Sequence, residues 1–203
     1  MRIKIKLFCL IIGLLSFCTY SQIKKDKVQN SQKAPDFAIK DVNGKDIVLS
    51  NYKGKRILLT FYRNVGCPVC NFRFHELEDE TGYFKSKNIV VIGVYESTSQ
   101  NMKQFLEGEN PYSIMIPNPD ESLYNLYNVD ISTGKIIKGV FKGAMGKAKK
   151  GKKLFKTKIK QDGNSNRIGA DFIIDENGKI LMAYYGKFLG DRIPIEKVKE
   201  ILK

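Results

Sequence analysis

The feature that most constrains this chain is a pair of cysteines placed just after an apolar run. Residues 56–62 read Arg-Ile-Leu-Leu-Thr-Phe-Tyr, a composition that suits a strand covered on both faces. Cys67-Pro68-Val69-Cys70 follows closely, and the residues beyond it predict a helix with an acidic outer face. The sequence therefore places a Cys-Pro-x-Cys motif between the end of a buried strand and the start of a helix.

This position favours thiol chemistry. Free backbone N–H groups and the positive end of the macrodipole at a helix N-terminus stabilise a thiolate, so we expect a lowered pKa and the first nucleophilic attack at Cys67. Cys70 lies one helical turn further on the same side, where it can resolve a mixed disulfide or a sulfenic acid on Cys67. Pro68 suits the first helical turn and removes one N–H donor near the thiolate.

Two other roles compete for the cysteine pair. A structural zinc site needs four ligands, whereas the chain after residue 21 has one cysteine pair and one histidine. A purely structural disulfide would contribute little stability, because it would close a ring of only four residues. Redox chemistry is therefore the preferred interpretation.

Two residues close to the motif are further candidates. Arg63, four residues before Cys67, is interpreted either as a solvated residue at the strand end or as a cation that helps to bind an anionic or peroxide oxygen. His75, the only histidine of the chain, follows Cys67 by about two helical turns. A packing or surface role is more usual for such a histidine than proton transfer.

The first 21 residues have the pattern of a secretory signal. Three basic residues precede an apolar run over residues 7–18, and Thr19-Tyr20-Ser21 offers small residues for cleavage before Gln22. The alternatives are an uncleaved anchor and lipidation at Cys18, although the residue before Cys18 is a phenylalanine where a small residue is expected. We expect an exported, periplasmic protein, in a compartment where a close cysteine pair is oxidised unless a reductase keeps it open.

The rest of the chain predicts one α/β domain over residues 34–203, after a flexible, lysine-rich leader at residues 22–33. An Asn-Gly pair between two alternating runs predicts an N-terminal β-hairpin. Strands then alternate with helices, and residues 171–175 and 180–185 predict a second hairpin before a closing helix. This order predicts a mixed central sheet flanked by helices, parallel early and antiparallel late.

Positive charge is concentrated in one segment. The net charge is +14, and Arg2, Lys4 and Lys6 together with eleven lysines within residues 131–161 account for all of it. Apolar residues recur there about every four positions, which predicts one amphipathic basic helix inserted into the domain. The apolar residues are Ile136, Ile137, Val140, Phe141, Ala144, Met145 and Ala148.

The lysine face of this insertion, Lys135 to Lys160, is open to three interpretations. It is a solvated face of a helix packed on the domain, a contact with an anionic membrane surface, or a contact with an acidic protein. Nucleic acid is not expected as a partner of an exported protein.

Several motifs, in this order, resemble the alkyl hydroperoxide reductase/thiol-specific antioxidant (AhpC/TSA) family, in particular peroxiredoxin-like proteins with a Cys-Pro-x-Cys. They are Ala34-Pro35-Asp36-Phe37, the Asn43-Gly44 hairpin, Phe61-Tyr62-Arg63, Cys67-Pro68-Val69-Cys70, and Asp171-Phe172-Ile173-Ile174-Asp175 followed by Gly178. The resemblance covers nearly all of the chain after residue 35. It implies a thioredoxin fold in which Cys67 is the peroxidatic cysteine and Cys70 its partner.

Two departures from that family bear on the site. Family members carry a proline and a threonine or serine where this chain has Thr60 and Asn64, so the hydroxyl that activates peroxide is missing. The cis-proline of thioredoxin folds corresponds to Gly169, which predicts a trans bond and open space over Cys67 for a bulkier substrate or a metal ion. Arg167, just upstream, is a candidate replacement for the lost polar contacts.

The sequence thus indicates an exported thiol oxidoreductase that cycles Cys67 and Cys70 between dithiol and disulfide, with no cofactor and no resident metal. The expected substrate is a hydroperoxide or a protein disulfide, and a thiol donor supplies the electrons. The alternative is a carrier that holds copper or another soft metal on the same cysteine pair.

Overall fold

The computed structural model describes residues 26–157 and 159–203, so the predicted signal segment and Lys158 lie outside the described residues. The strands are β1 (Ala38–Lys40), β2 (Asp46–Val48), β3 (Arg56–Phe61), β4 (Ile89–Tyr95), β5 (Ile114–Pro117), β6 (Ala170–Ile174) and β7 (Ile180–Tyr185). The helices are α1 (Pro68–Glu78), α2 (Thr81–Ser86), α3 (Ser99–Leu106), α4 (Ser122–Leu126), α5 (Thr133–Phe141), α6 (Ala144–Lys153) and α7 (Ile195–Ile201), and a 3-10 turn lies at Leu49–Tyr52.

The main sheet has five strands in the order β5-β4-β3-β6-β7. The central strand β3 pairs in parallel with β4 and antiparallel with β6, while β5 extends the parallel part and β7 the antiparallel part. The mixed sheet predicted from the sequence is therefore confirmed. The predicted N-terminal hairpin is also confirmed, as the antiparallel pair β1-β2.

The sheet separates two apolar cores because side chains alternate along each strand. Leu58 of β3 belongs to the core that also contains both cysteines, whereas its neighbours Ile57 and Leu59 belong to the core on the opposite face. β3 is thus covered on both faces, as its unbroken apolar run predicted. Helix α1 therefore lies against the sheet at the point where β3 ends.

The helix after the cysteines is interrupted after Glu78. Helix α1 ends at Glu78 and α2 begins at Thr81, and the hydroxyl of Thr81 donates to the carbonyl of Glu78 at 2.6 Å. No helix within the described ranges is long and apolar enough to cross a membrane.

The second half of the leader predicted at residues 22–33 is hydrogen-bonded to the domain. Residues 26–33 run along β7: the N–H of Ser31 donates to the carbonyl of Ile180 at 2.8 Å, and Lys33 forms a bridge with Lys179. Val28 is buried. The prediction of a flexible leader was wrong there, because the edge strand β7 has backbone groups left to pair and a place for one apolar side chain.

The prediction of a single basic helix in the insertion was also wrong. Two helices, α5 and α6, are separated by Lys142 and Gly143, and Gly143 has a φ of 90° that begins the second helix in a new direction. Glycine adopts such a φ without the steric penalty that other residues meet.

Glycines, together with Ala144 and Ala148 of the predicted apolar stripe, form much of the packing face of α5 and α6. A Cβ at Gly139 would lie 2.8 Å from backbone atoms of Leu189, and a Cβ at Gly151 would lie 1.9 Å from the carbonyl oxygen of Pro68. The two helices therefore approach the domain more closely than large side chains would permit. Most of the predicted apolar stripe is left exposed, and Ala144 is its one fully buried member.

Candidate redox site

The cysteine motif lies at the carboxyl end of β3, as predicted. Cys67 caps helix α1 and Pro68 is its first residue, a position where the missing N–H of proline has no helical acceptor to lose. The backbone N–H of Cys70 donates to Sγ of Cys67 at 3.4 Å. The helix N-terminus therefore points a backbone dipole at the first sulfur.

Both cysteines are reduced and almost fully buried, with exposed fractions of 1% for Cys67 and 5% for Cys70. Sγ of Cys70 accepts a hydrogen bond from the backbone N–H of Arg63 at 3.4 Å. The thiol of Cys67 also donates to Cys70. The two sulfurs are therefore hydrogen-bonded neighbours, as a pair that forms a disulfide must be.

The electrostatics of the pair differ between the two cysteines. Burial acts to raise the pKa of Cys70, but the hydrogen bond from Cys67 and the charges of Arg63 and Arg192 outweigh burial and lower that pKa to about 6. The pKa of Cys67 is raised instead, because Cys67 gives its proton to this hydrogen bond and is itself buried. The charge of Arg63 favours the thiolate of either cysteine, whereas that of Arg192 favours Cys70, so the lowered pKa expected at Cys67 stays a prediction.

Gly169 is the position at which the structure departs most from expectation. The described residues contain no cis peptide bond, which confirms the predicted trans geometry at Gly169. The predicted open space is absent, however, because the guanidinium of Arg192 fills it: a Cβ at Gly169 would lie 2.1 Å from Nη2 of Arg192. Glycine is thus required here to let a cation approach the dithiol.

Arg192 is held in this place by buried acceptors. Its guanidinium donates to the carbonyl of Phe61 at 2.7 Å, to the carbonyl of Ala170 at 3.0 Å and to Oδ1 of Asp171 at 2.9 Å. The guanidinium also lies over the ring of Tyr62, 5.1 Å from its centre. Every one of these partners belongs to β3, β6 or the residue after β3, so the sheet itself positions the cation.

Asp171 is the buried anion that balances this charge. It accepts from the hydroxyl of Thr60 at 2.6 Å and from the backbone N–H of Ile193 at 3.1 Å, and Nη2 of Arg73 lies 3.9 Å away. Burial acts to raise the pKa of Asp171, but Arg192 and Arg73, with the hydrogen bonds, outweigh burial and lower it. The hydroxyl of Thr60 is thus committed to Asp171.

Arg63 and Arg167, the two predicted cations of the site, have different surroundings. Arg63 donates to the carbonyl of Ser165 at 2.9 Å, while its Nε is buried without a hydrogen-bond partner among the described residues. Arg167 pairs with Glu96 and Glu121 and lies over a tyrosine ring. Arg167 therefore holds together the segments that carry Glu96 and Glu121, next to the site, and forms no hydrogen bond to either sulfur.

The insertion covers the site. A Cβ at Gly66 would lie 2.9 Å from backbone atoms of Lys160 and Gln161, so this part of the insertion lies against the residue before Cys67. Beside it, a small cavity is lined by Cys70 and by five cationic side chains, which are those of Arg63, Arg73, Lys147, Arg167 and Arg192. Cys67 does not line that cavity. Cys67 is therefore covered in the resting dithiol, with this segment against the residue before it.

His75 lies in a different cavity, together with Glu78 and Pro111. It has no place in the dithiol network. Within residues 26–157 and 159–203, no group of three or more His, Cys, Asp or Glu side chains is arranged to hold a metal ion. Copper carriage on the cysteine pair stays a prediction, and the guanidinium of Arg192 at Gly169 disfavours it because like charges repel.

The sequence did not reveal the roles of Arg192, Arg73 and Asp171. Asp171 was visible only as part of a family motif, and the two arginines lie on α1 and before α7, far from each other in the chain. No local pattern marks them, because the sheet topology alone brings them together. The one available signal was Gly169, which stands where thioredoxin folds have a proline. The missing side chain leaves space beside the dithiol that another side chain can fill.

Comparison with known proteins agrees with this geometry. Residues 31–183 match the AhpC/TSA family. The chain is 29% identical to Peroxiredoxin Bcp of Bacillus subtilis over 102 residues, half of this chain and 65% of that protein. It is 25% identical to the thiol-disulfide oxidoreductase ResA of the same organism over 130 residues, 63% of this chain and 72% of that protein.

Solved structures show the same fold. Peroxidoxin BcpB of Mycobacterium tuberculosis superposes with a TM-score of 0.60 at 15% identity, over 86% of this chain and 96% of that one. The thioredoxin domain of a thiol-disulfide oxidoreductase from Bacteroides vulgatus superposes with a TM-score of 0.53 at 17% identity, over 87% and 100% of the two chains. The thioredoxin fold implied by the sequence motifs is confirmed. The chain belongs to the AhpC/TSA family and is a peroxiredoxin-like, thiol-dependent oxidoreductase.

Proposed function

We propose that this oxidoreductase works outside the cytoplasm, where it reduces disulfide bonds of other exported proteins with the Cys67–Cys70 dithiol. The observation that carries the proposal is the buried pair itself: two free thiols joined by a hydrogen bond, with the guanidinium charges of Arg63 and Arg192 close by. Such a pair can give two electrons to a substrate disulfide and form its own disulfide without a large movement of the two cysteines.

The charge distribution supports Cys67 as the sulfur that carries the mixed disulfide. In thiol–disulfide exchange the thiol of lower pKa leaves faster. When an incoming thiol opens the Cys67–Cys70 disulfide, Cys70 is therefore the leaving thiolate and the new bond forms on Cys67. Substrate reduction runs through the same intermediate in the opposite direction, so Cys67 attacks and Cys70 resolves.

The proposed cycle begins with a proton transfer within the cysteine pair. The proton of Cys67 passes to Cys70 along their hydrogen bond, and the Cys67 thiolate attacks one sulfur of the substrate disulfide and expels the other as a thiolate. Cys70 then gives up the proton and attacks Sγ of Cys67, which releases the second substrate thiol and leaves an intramolecular disulfide. A thiol donor supplies two electrons to restore the dithiol.

The residues around the dithiol favour a disulfide over a peroxide as substrate. Asn64 stands where the family's peroxide-activating hydroxyl would be, and its side-chain oxygen is buried without a hydrogen-bond partner in the described part of the chain. Thr60, the nearest hydroxyl on β3, is committed to Asp171. These residues offer a peroxide no hydroxyl for its oxygen.

Reduction of hydroperoxides is the second candidate, and one observation favours it. Nε of Arg63 is buried beside the dithiol without a partner among the described residues, so it has a hydrogen bond to give to a peroxide oxygen. In that cycle the Cys67 thiolate takes the distal oxygen as a sulfenic acid and an alcohol or water leaves. Cys70 then expels water and closes the same disulfide.

Single-turnover oxidation separates the two candidates. The reduced protein is mixed with hydrogen peroxide, an organic hydroperoxide or an unfolded protein that carries a disulfide, and the loss of thiols is followed in wild type, Cys67→Ser and Cys70→Ser. Rapid exchange with the protein disulfide and slow oxidation by both peroxides is the expected result. Rapid peroxide oxidation, with a sulfenic acid trapped in Cys70→Ser, would establish the peroxidase instead.

Export rests on the sequence of residues 1–21, which lie outside the described residues. The mass of the protein recovered from producing cells tests it directly. A chain that begins at Gln22 supports cleavage after Ser21, and a chain that begins at an acylated Cys18 supports a lipid anchor. An intact N-terminus in the cytoplasm would contradict export.

A further inference from the structure

The corner between α5 and α6 exposes a cluster of apolar side chains, which we call the apolar tip. Its members and their exposed fractions are Ile137 (55%), Val140 (46%), Phe141 (83%) and Met145 (63%). Val140 and Phe141 share a face of α5 with Ile137 because they follow it by three and four residues, and Met145 lies just after the turn at Gly143. The tip is thus one continuous surface made by both helices.

Packing of the insertion does not require these side chains. The close contacts of α5 and α6 with the domain are made at Gly139 against Leu189 and at Gly151 against Pro68. Large apolar side chains on the outer face therefore contribute nothing to this packing, and their exposure to water is unfavourable. An exposed apolar cluster of this size in a folded protein marks a surface that binds something.

Lysines around the tip carry charge that the domain does not balance. Lys138, Lys142, Lys149, Lys152 and Lys153 have no acidic partner within the described residues. By contrast, Lys135 pairs with Asp130, and Lys156 pairs with Glu109. Lys138 and Lys142 lie next to the tip in sequence, and Lys149, Lys152 and Lys153 continue along α6, so the apolar tip adjoins a cationic rim.

We propose that the apolar tip docks on the surface of an anionic phospholipid membrane. The four apolar side chains would enter the boundary between headgroups and acyl chains, and the surrounding lysines would contact headgroup phosphates. A second copy of this chain does not fit the surface, because it would bring two cationic rims together. A protruding ring such as that of Phe141 needs a matching pocket in a protein, whereas a bilayer admits it anywhere.

Vesicle co-sedimentation tests the proposal. The protein is used from Gln22 onward, which retains every residue that the structure describes and removes the apolar run of residues 7–18. We expect it to pellet with vesicles of phosphatidylcholine mixed with phosphatidylglycerol and to stay in solution with phosphatidylcholine alone. About 0.5 M salt should release most of it, because salt screens the attraction between the exposed lysines and the anionic headgroups.

Matched variants separate the two parts of the surface. Phe141→Ser combined with Met145→Ser should weaken binding to the anionic vesicles about tenfold or more, and Leu181→Ser, at an exposed apolar residue of β7, should leave it unchanged. Lys138→Glu with Lys142→Glu should abolish binding. The same charge change at Lys53 and Lys55, on the exposed turn before β3, should have little effect.

Three results would overturn the proposal. One is no binding to anionic vesicles, and another is binding that the serine variant retains in full, which would be simple charge attraction. The third is a dimer in light scattering that dissociates in the serine variant, which would make a second copy the occupant. None of these results depends on the thiols, so thiol oxidation of the serine variant at the wild-type rate shows that the fold and the redox site remain intact.

Discussion

Positive charge occupies two regions of this protein, and the two are built in opposite ways. Beside the dithiol, Arg192 and Arg73 are buried and share the carboxylate of Asp171. On α5 and α6, lysines such as Lys142 and Lys149 are exposed and have no acidic partner in the described residues. A buried charge must be paired and acts strongly over a short distance, whereas an exposed one is screened by salt and is free for a partner.

The two regions also pack differently. The sheet is covered by large apolar side chains on both faces, such as Leu58 and Phe172. The insertion instead meets the domain through glycines at 139 and 151, where backbone lies directly against backbone. Consequently the large apolar side chains of the insertion are exposed on its outer face, whereas the buried charges of the domain lie beside the dithiol.

Loss of the buried carboxylate should have the largest effect. Asp171→Asn leaves Arg192 and Arg73 without their shared anion, and breaking a buried ion pair of this kind lowers the free energy of unfolding by about 3–5 kcal/mol. Asp46→Asn, which breaks the exposed pair with Lys40, should change it by less than about 1 kcal/mol. Urea unfolding of both variants measures the difference, and equal effects would show that burial does not distinguish the two charges.

The comparison of wild type with Asp171→Asn also predicts how stability depends on pH. Because folding lowers the pKa of Asp171, its carboxylate stabilises the fold above its unfolded pKa of about 4, and this stabilisation is lost as the pH falls through the folded pKa. The stability difference between wild type and Asp171→Asn should therefore be full near neutral pH and shrink below about pH 4. Urea unfolding repeated down to about pH 3 checks it; a difference that does not change with pH would contradict it.

A methyl group at the glycine contact should come next in size. Gly151→Ala would place a Cβ against the carbonyl oxygen of Pro68, and overpacking of this kind lowers the free energy of unfolding by about 1–3 kcal/mol. Gly146→Ala, on the same helix but with open space around its Cβ, should instead stabilise the protein by up to about 1 kcal/mol. Destabilisation by both substitutions would mean that the close helix contact is not the cause.

Removal of the cation at Gly169 also breaks the buried pair with Asp171, but its distinctive effect is on the pKa of the thiol. Arg192→Met takes away a charge that lowers the pKa of Cys70, so the thiolate titration should move upward from about 6, by about one pH unit. Arg192→Lys retains the charge and should restore much of the shift. The midpoints are measured from the ultraviolet absorbance of the thiolate against pH. An unchanged midpoint in the Arg192→Met variant would show that Arg192 does not lower the pKa of Cys70.

The sequence predicted the sheet well because that information is local. The apolar run of β3 and the Asn-Gly turn of the β1-β2 hairpin each act over a few residues. The position of Cys67 at the start of a helix followed from the same short-range signals. All three are confirmed by the structure.

The electrostatics of the site could not be predicted in the same way. Arg192, which faces Cys70 across Gly169, comes from a loop before α7 and depends on the whole sheet for its place. In the insertion, the repeat of apolar residues predicts one amphipathic helix, whereas Gly139 and Gly151 of two helices make close contacts with the domain. A small residue leaves no periodic signal in the sequence, since its role is to let another part of the chain come close.

We propose that Cys67 carries the mixed disulfide while Cys70 is the stabilised leaving thiolate. The most direct test is to incubate reduced Cys70→Ser and reduced Cys67→Ser with a disulfide-containing unfolded protein and to locate any covalent complex by peptide mass. We predict a stable mixed disulfide on Cys67 in the Cys70→Ser protein and little complex in the Cys67→Ser protein. A complex that forms readily on Cys70 in Cys67→Ser, with none in Cys70→Ser, would contradict the assignment and make Cys70 the nucleophile.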